Sequence, residues 1–111
     1  MKLLVYILKD YRRVEDLILA MVEMGITGAT CVDGRGMGQL IGEMPIFAAL
    51  RGLFPGSAVD SHVVFAAVPA DKAHSALALM TRITGDATAA GAGVAFMVPL
   101  EGWVGIAPEI T

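Results

Sequence analysis

A chain of 111 residues is long enough for one domain with one modest core. Its 56% hydrophobic and 17% charged composition invites a membrane reading, yet no run of about 20 mostly apolar residues exists to cross a bilayer. A net charge of −3 with scattered basic residues provides no patch for nucleic acid, and a single cysteine excludes an intrachain disulfide and a cysteine zinc cluster.

Lys2–Leu8 (KLLVYIL) predicts a strand, since it is short, carries Val and Ile, and stops at a polar cluster. That cluster, Lys9–Tyr11, offers no small-residue cleavage site, so the start is expected to be cytoplasmic rather than a leader. Val14, Leu17, Ile18, Met21 and Val22 repeat at helical spacing. Asp10 suits the start of that helix and Gly25 its end. Thr27–Arg35 predicts a second strand, in which Cys31 is expected to be a small buried hydrophobe.

Gly34, Gly36 and Gly38 come next at every second position and predict a loop that lets backbone approach a ligand closely. GRGMG fits neither the dinucleotide-binding nor the P-loop pattern. Arg35 is the cation nearest to it in sequence, and so the candidate anion contact. Pro45–Phe54 predicts a short helix with Pro45 at its first position. Ile46, Phe47, Leu50, Leu53 and Phe54 give it an apolar face, which closes on its own assembly as a lid, docks on a partner or, with less support because basic residues are few, inserts at a bilayer surface.

Ser61–Val68 predicts a third strand, closed by Pro69. Asp71–Thr84 predicts a second long helix with Ala73, Leu77, Met80 and Ile83 on one face and Gly85 past its end. Residues 86–93 form a loop of small side chains, and Val94–Leu100 predicts a fourth strand. The tail is irregular or a short further strand, with Trp103 as a buried packing residue. His62 and His74 have no neighbouring ligands in sequence, so no metal site is expected. No Ser–His–Asp or paired-carboxylate pattern appears, and an enzyme is not expected.

The order βαββαβ is that of an α+β, ferredoxin-like domain covering residues 1–111. Two helices lie on one face of a four-stranded antiparallel sheet, so the other face should carry polar residues. It does not: Leu3, Val5 and Ile7 oppose Leu4, Tyr6 and Leu8, and the third and fourth strands are apolar on both sides as well. Leaving about five large side chains wet forgoes on the order of 10 kcal/mol, which rivals the stability of a whole domain. Another copy of the chain is therefore expected to cover the second face.

Four stretches of the chain resemble the PII signal-transduction family. "MGITGATCVDGRGMGQ" is similar to the run from the first helix into the T-loop, and "MKLLVYILKDYRRVEDLILAM" to the first strand and helix. "VPADKAHSALALMTRITG" resembles the second helix and "GVAFMVPLEGWVGI" the last strand with the C-terminal segment beyond it. The resemblance implies a homotrimer with ligand clefts between neighbouring chains. It implies a small-molecule effector, an adenine nucleotide or another metabolite, and signalling through a T-loop-like segment, residues 37–60. The receiver would be a membrane transporter or a regulated enzyme, as in nitrogen regulation. The ligand residues it points to are Arg35, Gly36, Met37, Gly38 and Gln39 at the T-loop base. With them go Gly85, Asp86, Thr88, Gly91 and Gly93 in the loop after the second helix, residues 85–93.

The chain departs from the family in ways that matter chemically. An Arg–Gln pair comes after the second glycine in ATP-binding members, whereas Gln39 and Leu40 stand here. The 85–93 loop has no lysine, and nothing basic comes after Arg82. Polyphosphates are normally held by Lys or Arg, so ATP with Mg loses its support and a less charged ligand gains it. The segment 37–60 also lacks the tyrosine that some members have uridylylated. Two alternatives stand beside this reading: a metal-binding trimer like the CutA family, and an interaction protein without a ligand.

Overall fold

The structure, a computed structural model, describes residues 1–46, 61–85 and 93–106. Its elements in chain order are β1 (Lys2–Leu8), α1 (Tyr11–Glu23), β2 (Thr30–Gly34), α2 (Met37–Glu43), β3 (Ser61–Val68), α3 (Ala70–Thr84) and β4 (Val94–Pro99). The strands form one antiparallel sheet in the order β2-β3-β1-β4. This is the expected ferredoxin-like α+β arrangement, with α1 and α3 on one face.

Local chemistry sets the helix ends where the sequence places them. The Asp10 carboxylate accepts from the Arg12 backbone N–H at 2.9 Å and so caps α1. Gly25 has φ 81°, which lets the chain turn off the helix while the Ile26 N–H reaches the Met21 carbonyl. Gly85, at φ 79°, ends α3 in the same way. The two long helices also complete each other. Arg13, in the first turn of α1, donates to the carbonyl of Ile83 near the end of α3. Lys72, in the first turn of α3, donates to the carbonyl of Met24 past the end of α1. Each long cation thus satisfies a carbonyl that its neighbour's helix leaves unpaired.

The core lies between the helices and one side of the sheet. Leu4, Tyr6 and Leu8 of β1 and Val64, Ala66 and Val68 of β3 are buried there. They meet Val14, Leu17 and Met21 of α1 and Ala73, Ala76, Leu79 and Met80 of α3. Small alanines on α3 let the helix sit close, and the Tyr6 hydroxyl reaches the carbonyl of Ala76 at 2.5 Å.

The opposite side of the sheet is apolar and uncovered in the single chain. Pairing aligns Phe96, Val5, Phe65 and Thr30 in one row and Val94, Ile7, Val63 and Val32 in the next. Val98, Leu3 and Ala67 make a third. Val32, Phe65, Val94, Phe96 and Val98 are all exposed, and most of the others are half-buried.

Four expectations need correction. β2 is shorter than Thr27–Arg35: its pairing with β3 runs only from Thr30 to Gly34, between the α1 cap that ends at Ile26 and the α2 cap at Gly36. Cys31 is exposed rather than buried, since β2 is an edge strand and neither long helix reaches over it. Trp103 is exposed, standing with Val104 and Ile106 on a segment outside the sheet. The glycine-rich stretch is not the expected loop: α2 covers residues 37–43, while the helix expected over Pro45–Phe54 lies, beyond Ile46, outside the described residues. Met37, Gln39, Leu40 and Glu43 are good helix formers, and they prevail over the loop signal of the glycines. Phe47, Leu50, Leu53 and Phe54, the rest of the expected apolar face, lie outside the described residues.

Candidate ligand-binding site

Antiparallel pairing carries several loops to one end of the sheet. Leu8 lies opposite His62, Gly34 opposite Ser61, and Ile7 opposite Val94. The end of β1, the end of β2 and the starts of β3 and β4 therefore share that end. Lys9, Asp33, Gly36, Ser61, His62 and Gly93 lie at or beside that end.

Gly36 is the focus at the β2 edge. It caps α2 in an extended conformation, with φ −74° and ψ 160°. A Cβ at this position would lie 2.8 Å from Lys9 Nζ and 3.5 Å from Ser61 Oγ. Lys9 Nζ donates to Ser61 Oγ at 3.0 Å, and Ser61 is buried. Lys9, which comes from the end of β1 and is invisible to a search along the local sequence, thus brings a cation against the glycine cradle. Arg35 precedes Gly36, but its Nη1 is engaged by Glu43 Oε2 at 2.7 Å. Gln39 is buried, Gly38 is half-buried, and Met37 points outward with 73% of its surface exposed.

Beside this cluster His62 Nδ1 and Asp33 Oδ1 lie 2.7 Å apart, and the Tyr11 ring meets the imidazole edge-on at 5.4 Å. His74 is exposed on the outer side of α3. Among the described residues no three His, Cys, Asp or Glu side chains come together to hold a metal ion. Partial desolvation of the thiol within an otherwise exposed residue, and after it the charge of Asp33, pushes the Cys31 thiol up from its ordinary value, so the thiolate is disfavoured.

The second set of candidate residues sits at the β4 edge. Gly93 has φ 123°, and a Cβ on it would fall 2.4 Å from the carbonyl oxygen of Ile7. An open cleft of about 230 Å³ lies alongside, lined by Leu77, Met80 and Thr81 of α3 and by Gly93, Val94 and Ala95. Gly85 is described at the end of α3, whereas Asp86, Thr88 and Gly91 lie outside the described residues. Because β3 and β1 stand between β2 and β4, the two edges are separated by three strand spacings, about 14 Å. One chain therefore presents Gly36 and Gly93 at the same end of the sheet but on opposite margins.

These features define the class: a ferredoxin-like α+β domain with a PII-like fold. The particular likeness is to the crystal structure of Arabidopsis thaliana PII bound to citrate, with a TM-score of 0.62 and 18% sequence identity over 89% of this chain and 76% of that one. No family model matches the chain, and no curated protein matches it. Among the described residues no helix is long and apolar enough to cross a membrane.

Proposed function

We propose that this chain is a PII-like, non-enzymatic regulator that binds a small anionic metabolite between copies of itself and reports occupancy to a partner protein. The observation that carries the reading is the convergence of Lys9 and Ser61 on Gly36, where the lack of a side chain lets the Lys9 ammonium sit against the backbone, with Arg35 next to it in the chain. A carboxylate or a single phosphate suits such a set, whereas the lack of lysine in residues 85–93 argues against ATP with Mg. That the similar Arabidopsis protein was solved with citrate makes tricarboxylates and dicarboxylates the first probes.

The exposed apolar sheet face supports a homo-oligomer, and the PII-like fold supports a trimer. In such an assembly the β2 margin of one copy meets the β4 margin of the next, so that residues 36–39 and 85–93 complete a shared cleft. The segment 37–60 then signals. Its described part, α2 with Met44 and Ile46, turns Met37, Leu40, Met44 and Ile46 to solvent, which supports docking on a partner such as a transporter or an enzyme.

A thermal-shift titration with citrate, 2-oxoglutarate, bicarbonate, AMP and ATP tests the reading. A ligand at 100 times its Kd adds about 2.7 kcal/mol of stability. The expected result is stabilisation by a carboxylate or a monophosphate that disappears in Lys9→Ala. No stabilisation by any of these, or an unchanged response in Lys9→Ala, overturns it.

A further inference from the structure

We propose that the Arg35–Glu43 ion pair is a self-inhibitory clasp. Glu43 occupies the guanidinium that an anionic ligand would use, and a ligand that captures Arg35 releases α2. The inference rests on the anion site at Gly36 argued above and concerns how that site is controlled.

Arg35 stands immediately before the cap of α2, and Glu43 is the helix's last residue. Their side chains meet at 2.7 Å with 59% and 49% of their surfaces exposed. An exposed pair of this kind contributes little net stability, so an incoming carboxylate or phosphate can replace the Glu43 carboxylate on the same guanidinium. Such a ligand has a second attraction beside Gly36, because Lys9 Nζ is bonded there to the neutral hydroxyl of Ser61.

α2 has few other restraints. It spans seven residues, well below the length at which an isolated helix persists in water, and Gly38 and Gly42 weaken it further. Gln39 is its one buried residue, while Met37 and Leu40 are exposed. Among the described residues no strand or other helix packs extensively against it. A helix held this weakly is sensitive to the loss of one side-chain bridge between its two ends.

The test titrates citrate and inorganic phosphate into the full chain by calorimetry, with amide hydrogen exchange measured over residues 38–43. Wild type is compared with Glu43→Gln, Arg35→Ala and Lys9→Ala. Glu43→Gln is expected to bind about two- to fivefold more tightly, since the competing carboxylate is gone. Arg35→Ala is expected to bind more weakly than wild type. Anion binding to wild type is expected to speed exchange over 38–43. Wild-type affinity in Glu43→Gln, or exchange over 38–43 that does not change on binding, overturns the clasp while leaving the anion site standing if Lys9→Ala still weakens binding. Absence of binding by wild type and Glu43→Gln alike overturns the site itself.

Discussion

The phenol of Tyr6, on the middle of β1, donates to the carbonyl of Ala76, on the middle of α3, at 2.5 Å. The two residues are 70 positions apart, and the bond ties the centre of the sheet to the centre of that helix. Burial pushes the Tyr6 pKa up to about 12 from its ordinary 10. The folded state therefore holds this proton more tightly than the unfolded chain does. Its contribution is fully present below pH 10 and is lost as the pH rises through 10 towards 12. Denaturant melts at pH 8, 10 and 11.5 are expected to show a loss of up to about 2 kcal/mol across that window. Tyr6→Phe is expected to flatten this alkaline loss, while costing about 1 kcal/mol at neutral pH.

Gly93 is expected to tolerate no side chain. Its φ of 123° is strained for any L residue, and the clash at 2.4 Å is with backbone, which cannot swing aside. Gly93→Ala should cost at least about 2 kcal/mol, seen as a fall in Tm of roughly 10 °C. Gly28→Ala is the control: nothing lies within 4 Å of its added methyl and its φ is not positive, so its Tm should hardly move.

Gly36→Ala should separate folding from binding. The added methyl meets the tip of a flexible lysine, which can move. The fold is expected to keep its stability within about 0.5 kcal/mol of wild type. Displacing Lys9 from Ser61 is expected to lower affinity for citrate at least several-fold. Retained affinity, measured by calorimetry, would place the anion elsewhere.

Phe65 and Phe96 flank Val5 on the uncovered sheet face. A charge there is compatible with the single chain, where both rings are already partly wet, but not with a second copy pressed against them. Phe65→Glu is expected to shift sedimentation towards the single chain at micromolar concentration. A wild-type protein that already sediments as one folded chain would remove the shared-cleft reading altogether.

Much of the fold was legible because its signals are local. Asp10, Gly25, Pro69 and Gly85 mark the ends of elements by their own backbone preferences, and β1 and β3 begin and end where their apolar runs do. The two-sided apolar strands likewise announce an uncovered face, whatever their pairing. The site was less legible, because its parts meet only through the sheet. Lys9 stands 27 residues before Gly36 and Ser61 stands 25 after it, and nothing in the glycine-rich stretch points to either. α2 was hidden for a different reason: alternating glycines weigh towards a turn, whereas the side chains between them favour a helix. The exposure of Cys31 comes from its strand's edge position, a property of topology rather than of the residues around it.

The strand order bears on how such a sensor would respond to dose. With the two loop-bearing strands outermost, a closed ring of copies gives every protomer a wall in each of two neighbouring compartments. If filling one compartment moved its walls, the next would feel it, and successive molecules of effector would not be taken up independently. Saturation would deviate from a simple hyperbola, and the ring would grade its output by how many compartments are full.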